Sequence, residues 1–269
     1  MTTKQIVLAK RPAGIPDKDA FRIEETDLPA VGDGQVLVKS LYYSVDPYMR
    51  GRMNDKKSYA PPFKLDEPII GGIVGEVIES NTPELKPGFI VTGRLPWKEQ
   101  FVIDAASLKE IEKDDAVPLS AHLGVLGMPG LTAYVGMVLI GRPAKGETVV
   151  ISGAAGAVGS AAGQIAKIFG CRVIGIAGSD EKCKVLTDEF GFDAAINYKT
   201  EKQLSKAIET LCPNGVDIYF DNVGGEISDA VIENLNFHAR IPLCGQISMY
   251  NSDKPETGPR QFPILLTKS

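Results

Sequence analysis

Residues 148–182 constrain the fold of this chain more than any other segment. They read TVVISGAAGAVGSAAGQIAKIFGCRVIGIAGSDEK. The apolar run Val149–Ile151 predicts a strand, a glycine-rich turn begins at Gly153, a helical pattern follows, and Arg172–Ala177 predicts a second strand. Glycines at three-residue spacing let a helix N-terminus approach a phosphate, which its free N–H groups and its dipole attract. The segment therefore predicts a βαβ unit that binds a dinucleotide, the alternative being a packing turn without a ligand.

The end of the second strand indicates which dinucleotide is bound. NAD-binding folds usually place Asp or Glu there to hold the ribose 2′-hydroxyl. This chain has Ala177-Gly178-Ser179 at that point, and Lys182 follows in the first turn of the next predicted helix. Small residues leave room for a 2′-phosphate and a lysine neutralises its charge, which favours NADP. The alternative is that Lys182 is a solvated residue paired with Asp180 or Glu181.

Composition and charge exclude several classes of protein. The chain has 269 residues and a formal net charge of −5, whereas a nucleic-acid-binding domain usually has a basic face. Its four cysteines are widely spaced without a CxxC pair, which is typical of reduced thiols in a cytoplasmic protein. The uncharged stretch Leu123–Gly141 is long enough for a membrane span, but its glycines and proline favour a turn plus a helix. We predict a cytoplasmic protein with neither nucleic acid nor membrane as a partner.

The pattern of strands and helices predicts an α/β protein with two domains. Residues 1–120 are β-rich, with strands such as Gln35–Leu41 separated by Gly and Pro turns. Residues 121–269 alternate strands and helices, which predicts a doubly wound parallel sheet whose ligands lie at the carboxyl ends of its strands. The further strands of this sheet are predicted at Ala194–Tyr198, Val216–Phe220 and Ile241–Ile247, with helices near 181–190, 201–211 and 226–237.

Seven segments spread over nearly the whole chain carry a family resemblance. They are 44–50 (SVDPYMR), 127–134 (GMPGLTAY), 154–160 (AAGAVGS), 178–182 (GSDEK), 197–199 (NYK), 221–225 (DNVGG) and 244–251 (CGQISMYN). In combination they resemble the zinc-independent branch of the medium-chain dehydrogenase/reductase family, which contains leukotriene dehydrogenases, prostaglandin reductases, plant double-bond reductases and bacterial curcumin reductases. The resemblance implies a GroES-like N-terminal domain followed by a Rossmann domain.

The resemblance also implies roles for individual residues. The pyrophosphate turn would be Ala155, Gly156, Ala157, Val158 and Gly159, and the 2′-phosphate contacts would be Lys182 and Tyr198. The ribose and nicotinamide would be lined by Asn222, Cys244, Gly245, Gln246, Ile247, Ser248 and Tyr250, and the substrate cleft would be shaped by Tyr48, Met128 and Thr132. Tyr250 matches the tyrosine that hydrogen-bonds the substrate carbonyl, so it is the candidate catalytic residue. The alternative is a loop tyrosine whose hydroxyl lies in water.

The implied activity is reduction of a carbon–carbon double bond. NADPH would deliver a hydride to the β-carbon of an α,β-unsaturated ketone or aldehyde. Two alternatives remain: an NADPH quinone oxidoreductase with the same fold and cofactor, and a catalytically silent NADP-binding protein.

No metal site is predicted from the residues. Zinc-dependent relatives carry Cys where this chain has Ser44 or Val45 and His-Glu where it has Gly71-Gly72. The two histidines, His122 and His238, have no clustered cysteines to complete a ligand set.

The family suggests a homodimer that pairs through the last strand of the Rossmann sheet. This chain ends where that strand would begin, so we expect a C-terminally truncated form whose sheet is incomplete. The dimer strand and the segment that returns to the catalytic domain would then be missing.

Overall fold

The computed structural model describes residues 1–252, 254 and 257–268. The chain divides into two compact units, the first ending at Leu123 and the second beginning at Gly124. Each unit is described by itself.

The first unit is built from antiparallel strands. Within its residues β1 (Thr2–Leu8) pairs with β2 (Phe21–Asp27) as a hairpin. A second sheet has the order β6-β3-β4-β5-β7. Its strands are β3 (Gln35–Tyr43), β4 (Ile70–Ser80), β5 (Ile90–Pro96), β6 (Gln100–Asp104) and β7 (Lys109–Ile111), and the short helix α1 (Tyr48–Arg52) follows β3.

Alternation along the strands creates the core of this unit. Val36 and Val38 of β3 are fully buried together with Ile73 and Val77 of β4, because residues two apart project from the same face of a strand. A Cβ atom at Gly75 would lie 2.5 Å from Cγ1 of Val38, so this glycine allows β3 and β4 to pack closely.

The second unit contains a parallel sheet with the order β10-β9-β8-β11-β12. In chain order its strands are β8 (Thr148–Ser152), β9 (Arg172–Ala177), β10 (Ala194–Asn197), β11 (Val216–Phe220) and β12 (Leu235–Arg240). The central strand β8 is buried at every position, which a parallel sheet covered on both faces requires. Val149 and Ile151 pack into one apolar cluster and Val150 into another on the opposite face.

Helices connect and cover these strands. They are α2 (Met128–Tyr134), α3 (Ala157–Ile168), α4 (Asp180–Lys184), α5 (Leu204–Leu211), α6 (Gly225–Ile232) and α7 (Phe262–Lys268). α2 continues as the π-helix Val135–Gly141 and α4 as the π-helix Val185–Glu189. The predicted fold class, a β-rich domain followed by a parallel α/β sheet, is confirmed. None of the helices in the described residues is both long enough and apolar enough to cross a membrane.

The predicted strand Ile241–Ile247 is wrong. The regular strand is β12, which begins six residues earlier, where the end of a helix was predicted. Among the described residues beyond β12, Leu243 forms an isolated bridge with Asp221 and no regular strand follows. Pro242 has no N–H to donate to a ladder, which prevents continuous pairing through this run. His238 adopts a left-handed φ of 58°, and the pairing of β11 with β12 shifts register there. The segment after Leu243 is consequently a loop containing the 3-10 turn Ile247–Met249.

Candidate cofactor-binding site

The glycine turn between β8 and α3 is open to solvent at the point where a phosphate would approach. Gly153 has a φ of 58°, a left-handed value that favours glycine. Gly156 is the N-cap of α3 and offers no side chain to the first amides of the helix, which need a partner from outside. Gly156 and Ala157 are exposed, and Ala155 and Val158 are half-buried. The turn can therefore present backbone N–H groups to an anion.

Gly159 allows α3 to begin directly against this turn. A Cβ atom there would lie 2.5 Å from the carbonyl oxygen of Gly153 and 2.8 Å from Cα of Ala154. Both neighbours are backbone atoms, so no side chain fits without moving the helix. Gly159 thus has the role of the third glycine in a dinucleotide-binding turn, which is close packing of helix on strand.

The end of β9 carries exposed cations and no carboxylate. A Cβ atom at Gly178 would lie 3.2 Å from Cε1 of Tyr198 and 3.4 Å from Cε of Lys199, so both side chains border Gly178. Lys182 is exposed on α4, whose N-cap Ser179 accepts a hydrogen bond from the Lys182 amide at 3.3 Å. Lys199 and Tyr198 therefore border the strand end, and Lys182 lies on the helix that follows it.

The alternative ion pairs of Lys182 are not formed within the described chain. The Asp180 carboxylate accepts from Nδ2 of Asn197 at 2.7 Å. Glu181 accepts from its own amide and from Ser179, and these bonds lower its pKa. Lys199 was not assigned a role from the sequence. Its position in the sequence could have indicated a role in binding the 2′-phosphate, because it directly follows Tyr198 at the end of a predicted strand.

The turn after β11 fixes Asn222 at the end of β8. Its Nδ2 donates to the carbonyl oxygen of Ser152 at 2.8 Å, and its amide donates to Oγ of Ser152 at 2.9 Å. Gly224 follows with a φ of 75°, and a Cβ atom there would lie 3.2 Å from Cβ of Gln246. The first residues of the turn and the loop after β12 therefore meet at the same edge of the sheet as the glycine turn.

The loop from Cys244 to Ser248 is attached to the end of β11 through backbone bonds. The amides of Cys244 and Gly245 donate to the carbonyl oxygen of Asp221 at 2.8 and 3.0 Å. Ser248 donates to the carbonyl oxygen of Val223 through its amide at 3.1 Å and through Oγ at 2.7 Å. Cys244, Gln246, Ile247 and Ser248 are exposed and Gly245 is half-buried, so the loop presents its residues to solvent along this edge.

Tyr250 follows this loop, and its hydroxyl lies beside Gly245. A Cβ atom at Gly245 would be 3.2 Å from the Tyr250 hydroxyl oxygen. The side chain is half-buried, and its hydroxyl makes no hydrogen bond to any residue that the structure describes. The hydroxyl is consequently available as a donor at the edge where Asn222 lies.

The three predicted cleft residues lie in different places. Thr132 lines a cavity of about 360 Å³ together with Phe220, Leu243 and Cys244, which brings a cleft residue and a cofactor-loop residue to one space. Its hydroxyl donates to the Met128 carbonyl oxygen at 2.7 Å, and Met128 itself is exposed and outside the cavity lining.

Tyr48 belongs to the first unit, where it begins α1. Burial is the main cause that raises the pKa of its hydroxyl, which therefore remains protonated at neutral pH.

The buried carboxylate at this edge, Asp221, was not assigned a role from the sequence. It is 1 % exposed and directly follows β11. The sequence does show an aspartate directly after the apolar run of a predicted strand. Such a residue is a candidate for a role in the site, because aspartate is rarely buried unless it is paired.

The described residues do not supply a zinc ligand set. Of them, no three His, Cys, Asp or Glu side chains are grouped where they could hold a metal ion. A Cβ atom at Gly71 would lie 2.6 Å from Cε of Met49 and 2.9 Å from Nε1 of Trp97, so the space beside this glycine is filled. Ser44 donates from Oγ to the Asp46 carboxylate at 2.8 Å. A catalytic zinc site needs three protein ligands, and these residues do not fit one.

Two family descriptions match the chain. "N-terminal domain of oxidoreductase" matches residues 4–111 and "Zinc-binding dehydrogenase" matches residues 157–266. The NADPH-dependent curcumin reductase of Escherichia coli is 46% identical over 263 residues, which cover 97% of this chain and 75% of that protein. The chain belongs to the medium-chain dehydrogenase/reductase family. The similarity extends over both units of the chain.

Other members of the family agree with this assignment. The NADP-dependent 2-alkenal reductase of Nicotiana tabacum is 43% identical over 272 residues, covering 100% of this chain and 79% of that protein. The crystal structure of CurA from Vibrio vulnificus in complex with NADPH has a TM-score of 0.92 and 45% identity, covering 98% of this chain and 78% of that one. The chain is thus similar to the branch of the family that contains the curcumin and alkenal reductases.

Proposed function

We propose that this protein is an NADPH-dependent reductase of the carbon–carbon double bond in α,β-unsaturated ketones and aldehydes. The observation that carries the proposal is the Tyr250 hydroxyl, which is half-buried and free of partners in the described chain at the edge of the sheet beside Asn222. The names of the similar reductases from E. coli and tobacco support the cofactor and the reaction type.

The residues present fit NADP(H) at both of its phosphate positions. The amides at the start of α3, next to Gly156, would hold the pyrophosphate. Lys182 and Tyr198 would hold the adenosine 2′-phosphate beside Gly178, and Lys199 would add a third contact to it. A carboxylate at the strand end would repel that phosphate, and Ala177-Gly178-Ser179 contains none; the Asp180 carboxylate that follows is hydrogen-bonded to Asn197.

Tyr250 would act on the carbonyl oxygen of the substrate. When bound, the cofactor supplies a hydride for the β-carbon. Negative charge then develops on the carbonyl oxygen, and the Tyr250 hydroxyl donates a hydrogen bond to it. This bond stabilises the transition state more than the ground state, because the charge is absent at the start. Water can protonate the α-carbon, so the reaction needs no further acid from the protein.

The cavity beside Thr132 would take the apolar part of the substrate. Its wall contains Phe220, Leu243 and Ile140, and Thr132 uses its hydroxyl within α2. Such a lining suits a small unsaturated carbonyl compound better than a charged one. The cytoplasmic location and the homodimer remain predictions.

The experiment that tests the reaction follows NADPH absorbance with an enone in one assay and a quinone in another. Enone turnover is the expected result. Turnover of the quinone alone would favour the quinone oxidoreductase, and NADPH binding without turnover of either would favour the silent nucleotide-binding protein.

Tyr250→Phe tests the role of the hydroxyl. We expect about a 100-fold fall in enone turnover, the usual cost of removing one donor to a developing oxyanion, with NADPH affinity retained. Tyr42→Phe is the matched control, because Tyr42 is 45% exposed on β3 of the first unit, and it should leave turnover unchanged. Full turnover in Tyr250→Phe would remove this residue from the mechanism.

A further inference from the structure

The Asp221 carboxylate is the centre of a buried hydrogen-bond network. Five groups donate to its two oxygens at distances of 2.7–2.9 Å: Oγ of Ser152, the Tyr219 hydroxyl, the amides of Val223 and Gly224, and Oγ of Ser228. Ser152, Tyr219 and Ser228 are themselves buried. Burial and the neighbouring Asp221 raise the pKa of the Tyr219 hydroxyl, so this group keeps the proton that it donates.

All of these donors are neutral. None of the ion pairs within 4.0 Å among the described residues includes Asp221. A buried carboxylate without a countercharge is costly unless hydrogen bonds replace its hydration, and five donors do so here. The carboxylate is therefore held by neutral hydrogen-bond donors and not by an ion pair. These hydrogen bonds fix the positions of the groups around it.

The network joins segments that are far apart in sequence. Ser152 ends β8, the Val223-Gly224 amides form the turn after β11, and Ser228 lies in α6. The backbone carbonyl oxygen of Asp221 also accepts the Cys244 and Gly245 amides.

These contacts control two residues proposed for the nicotinamide end. Oγ of Ser152 donates to Asp221 and accepts the Asn222 amide at 2.9 Å, so the carboxylate orients the group that holds Asn222. The carboxylate also accepts the Val223 amide, and the Val223 carbonyl oxygen accepts Ser248 at the end of the loop that leads to Tyr250. The Tyr250 hydroxyl lies beside Gly245 of the same loop. The 2′-phosphate end, at Gly178, is formed by other contacts.

We propose that Asp221 is a positioning residue for the nicotinamide half of the cofactor: its carboxylate holds Asn222 through Ser152, holds the loop that leads to Tyr250 through Val223, and leaves the 2′-phosphate end unaffected. This inference rests on the proposed function, because it assumes a nicotinamide cofactor at this edge. A role limited to supporting the sheet would affect both halves of the cofactor alike.

Calorimetry on the full chain separates the two halves. The ligands are NADPH and 2′,5′-ADP, which carries the 2′-phosphate and lacks the nicotinamide. For Asp221→Asn we expect NADPH to bind about tenfold more weakly, the effect of weakening charge-assisted hydrogen bonds, with 2′,5′-ADP affinity unchanged within about twofold. Equal weakening of both ligands, or unchanged NADPH binding, would overturn the inference.

Asp217→Asn is the matched control. Asp217 lies near the other end of β11 and accepts from the Thr148 amide and from Nδ2 of Asn236, both at 2.8 Å. It should lower the melting temperature and leave the affinities for both ligands unchanged. A selective loss of NADPH binding in this control as well would overturn the inference.

Ser152→Ala serves as a second variant if Asp221→Asn does not fold. It keeps the carboxylate and removes the hydroxyl that links it to Asn222, so the same selective loss is expected at about threefold. An unchanged ratio of the two affinities in this variant would contradict the proposal. Wild-type protein that binds NADPH but reduces no enone would refute the proposed reaction alone.

Discussion

Gly159 gives the sharpest prediction about the phosphate end. In Gly159→Ala the new methyl group would meet the Gly153 carbonyl oxygen at 2.5 Å, whereas ordinary contacts begin near 3.4 Å. The obstacles are backbone atoms, so α3 must move by about 1 Å relative to the turn. Such overpacking costs about 1–3 kcal/mol, which corresponds to a melting temperature lower by roughly 2–12 °C in a unit of this size. Displaced amides should also weaken NADPH binding by about tenfold or more.

The assay combines a thermal scan with an NADPH titration. Gly51→Ala is the control, because a Cβ atom at Gly51 would meet nothing within 4 Å and α1 tolerates alanine. The control should bind NADPH as the wild type does and melt at the same or a higher temperature. If Gly159→Ala retained wild-type affinity and melting temperature, the close approach of α3 to the turn would not matter for binding, and the reasoning would be refuted.

Two further predictions concern charged side chains. Arg240 contacts Glu147 at 2.7 Å, so Arg240→Gln should lower the free energy of unfolding by about 2 kcal/mol in denaturant titrations. Burial opposes ionisation of Glu147, but the Arg240 contact and the hydrogen bond from the Ala144 amide together outweigh it and lower the pKa. The ion-pair stabilisation is therefore present above the ordinary value of 4.5 and is lost as pH falls through the lowered pKa, where the difference between the two proteins should shrink. Lys199→Gln should weaken NADPH about three- to tenfold and NADH hardly at all, because only NADPH carries the 2′-phosphate beside Gly178. The exposed Lys202, replaced by Gln, should leave both affinities unchanged, and equal losses for both cofactors in Lys199→Gln would exclude the 2′-phosphate role.

The parallel sheet could be predicted because local sequence decides it. Val149–Ile151 is apolar at consecutive positions and is flanked by glycine, which is typical of a strand buried on both faces. β12 could not be predicted in the same way. Its sequence, LNFHAR, has no apolar run, while the apolar residues that follow contain Pro242 and pair at a single bridge. Edge strands are held by one neighbour, so the sequence pattern specifies them weakly.

The site was predictable where one segment forms it and not where distant segments meet. The glycine turn and the Gly178–Lys182 turn are contiguous, and their residue types indicate their chemistry. In the Asp221 network, Ser152 is hydrogen-bonded directly to a residue 69 positions away in sequence. Hydroxyl groups and amides that are ordinary in sequence become a single unit only after the sheet aligns β8 with β11.

The filled space beside Gly71 limits which substitutions this chain can accept at that position. A histidine placed there would collide with Met49 and Trp97 before it could reach a metal ion. Trp97 also contacts the ring of Tyr43 edge-on, with centroids 6.2 Å apart, so clearing this space would disturb a second aromatic residue. Introducing a side chain at Gly71 would therefore require Met49 and Trp97 to move as well. The packing of these two residues thus ties position 71 to glycine independently of any chemistry at the cofactor edge.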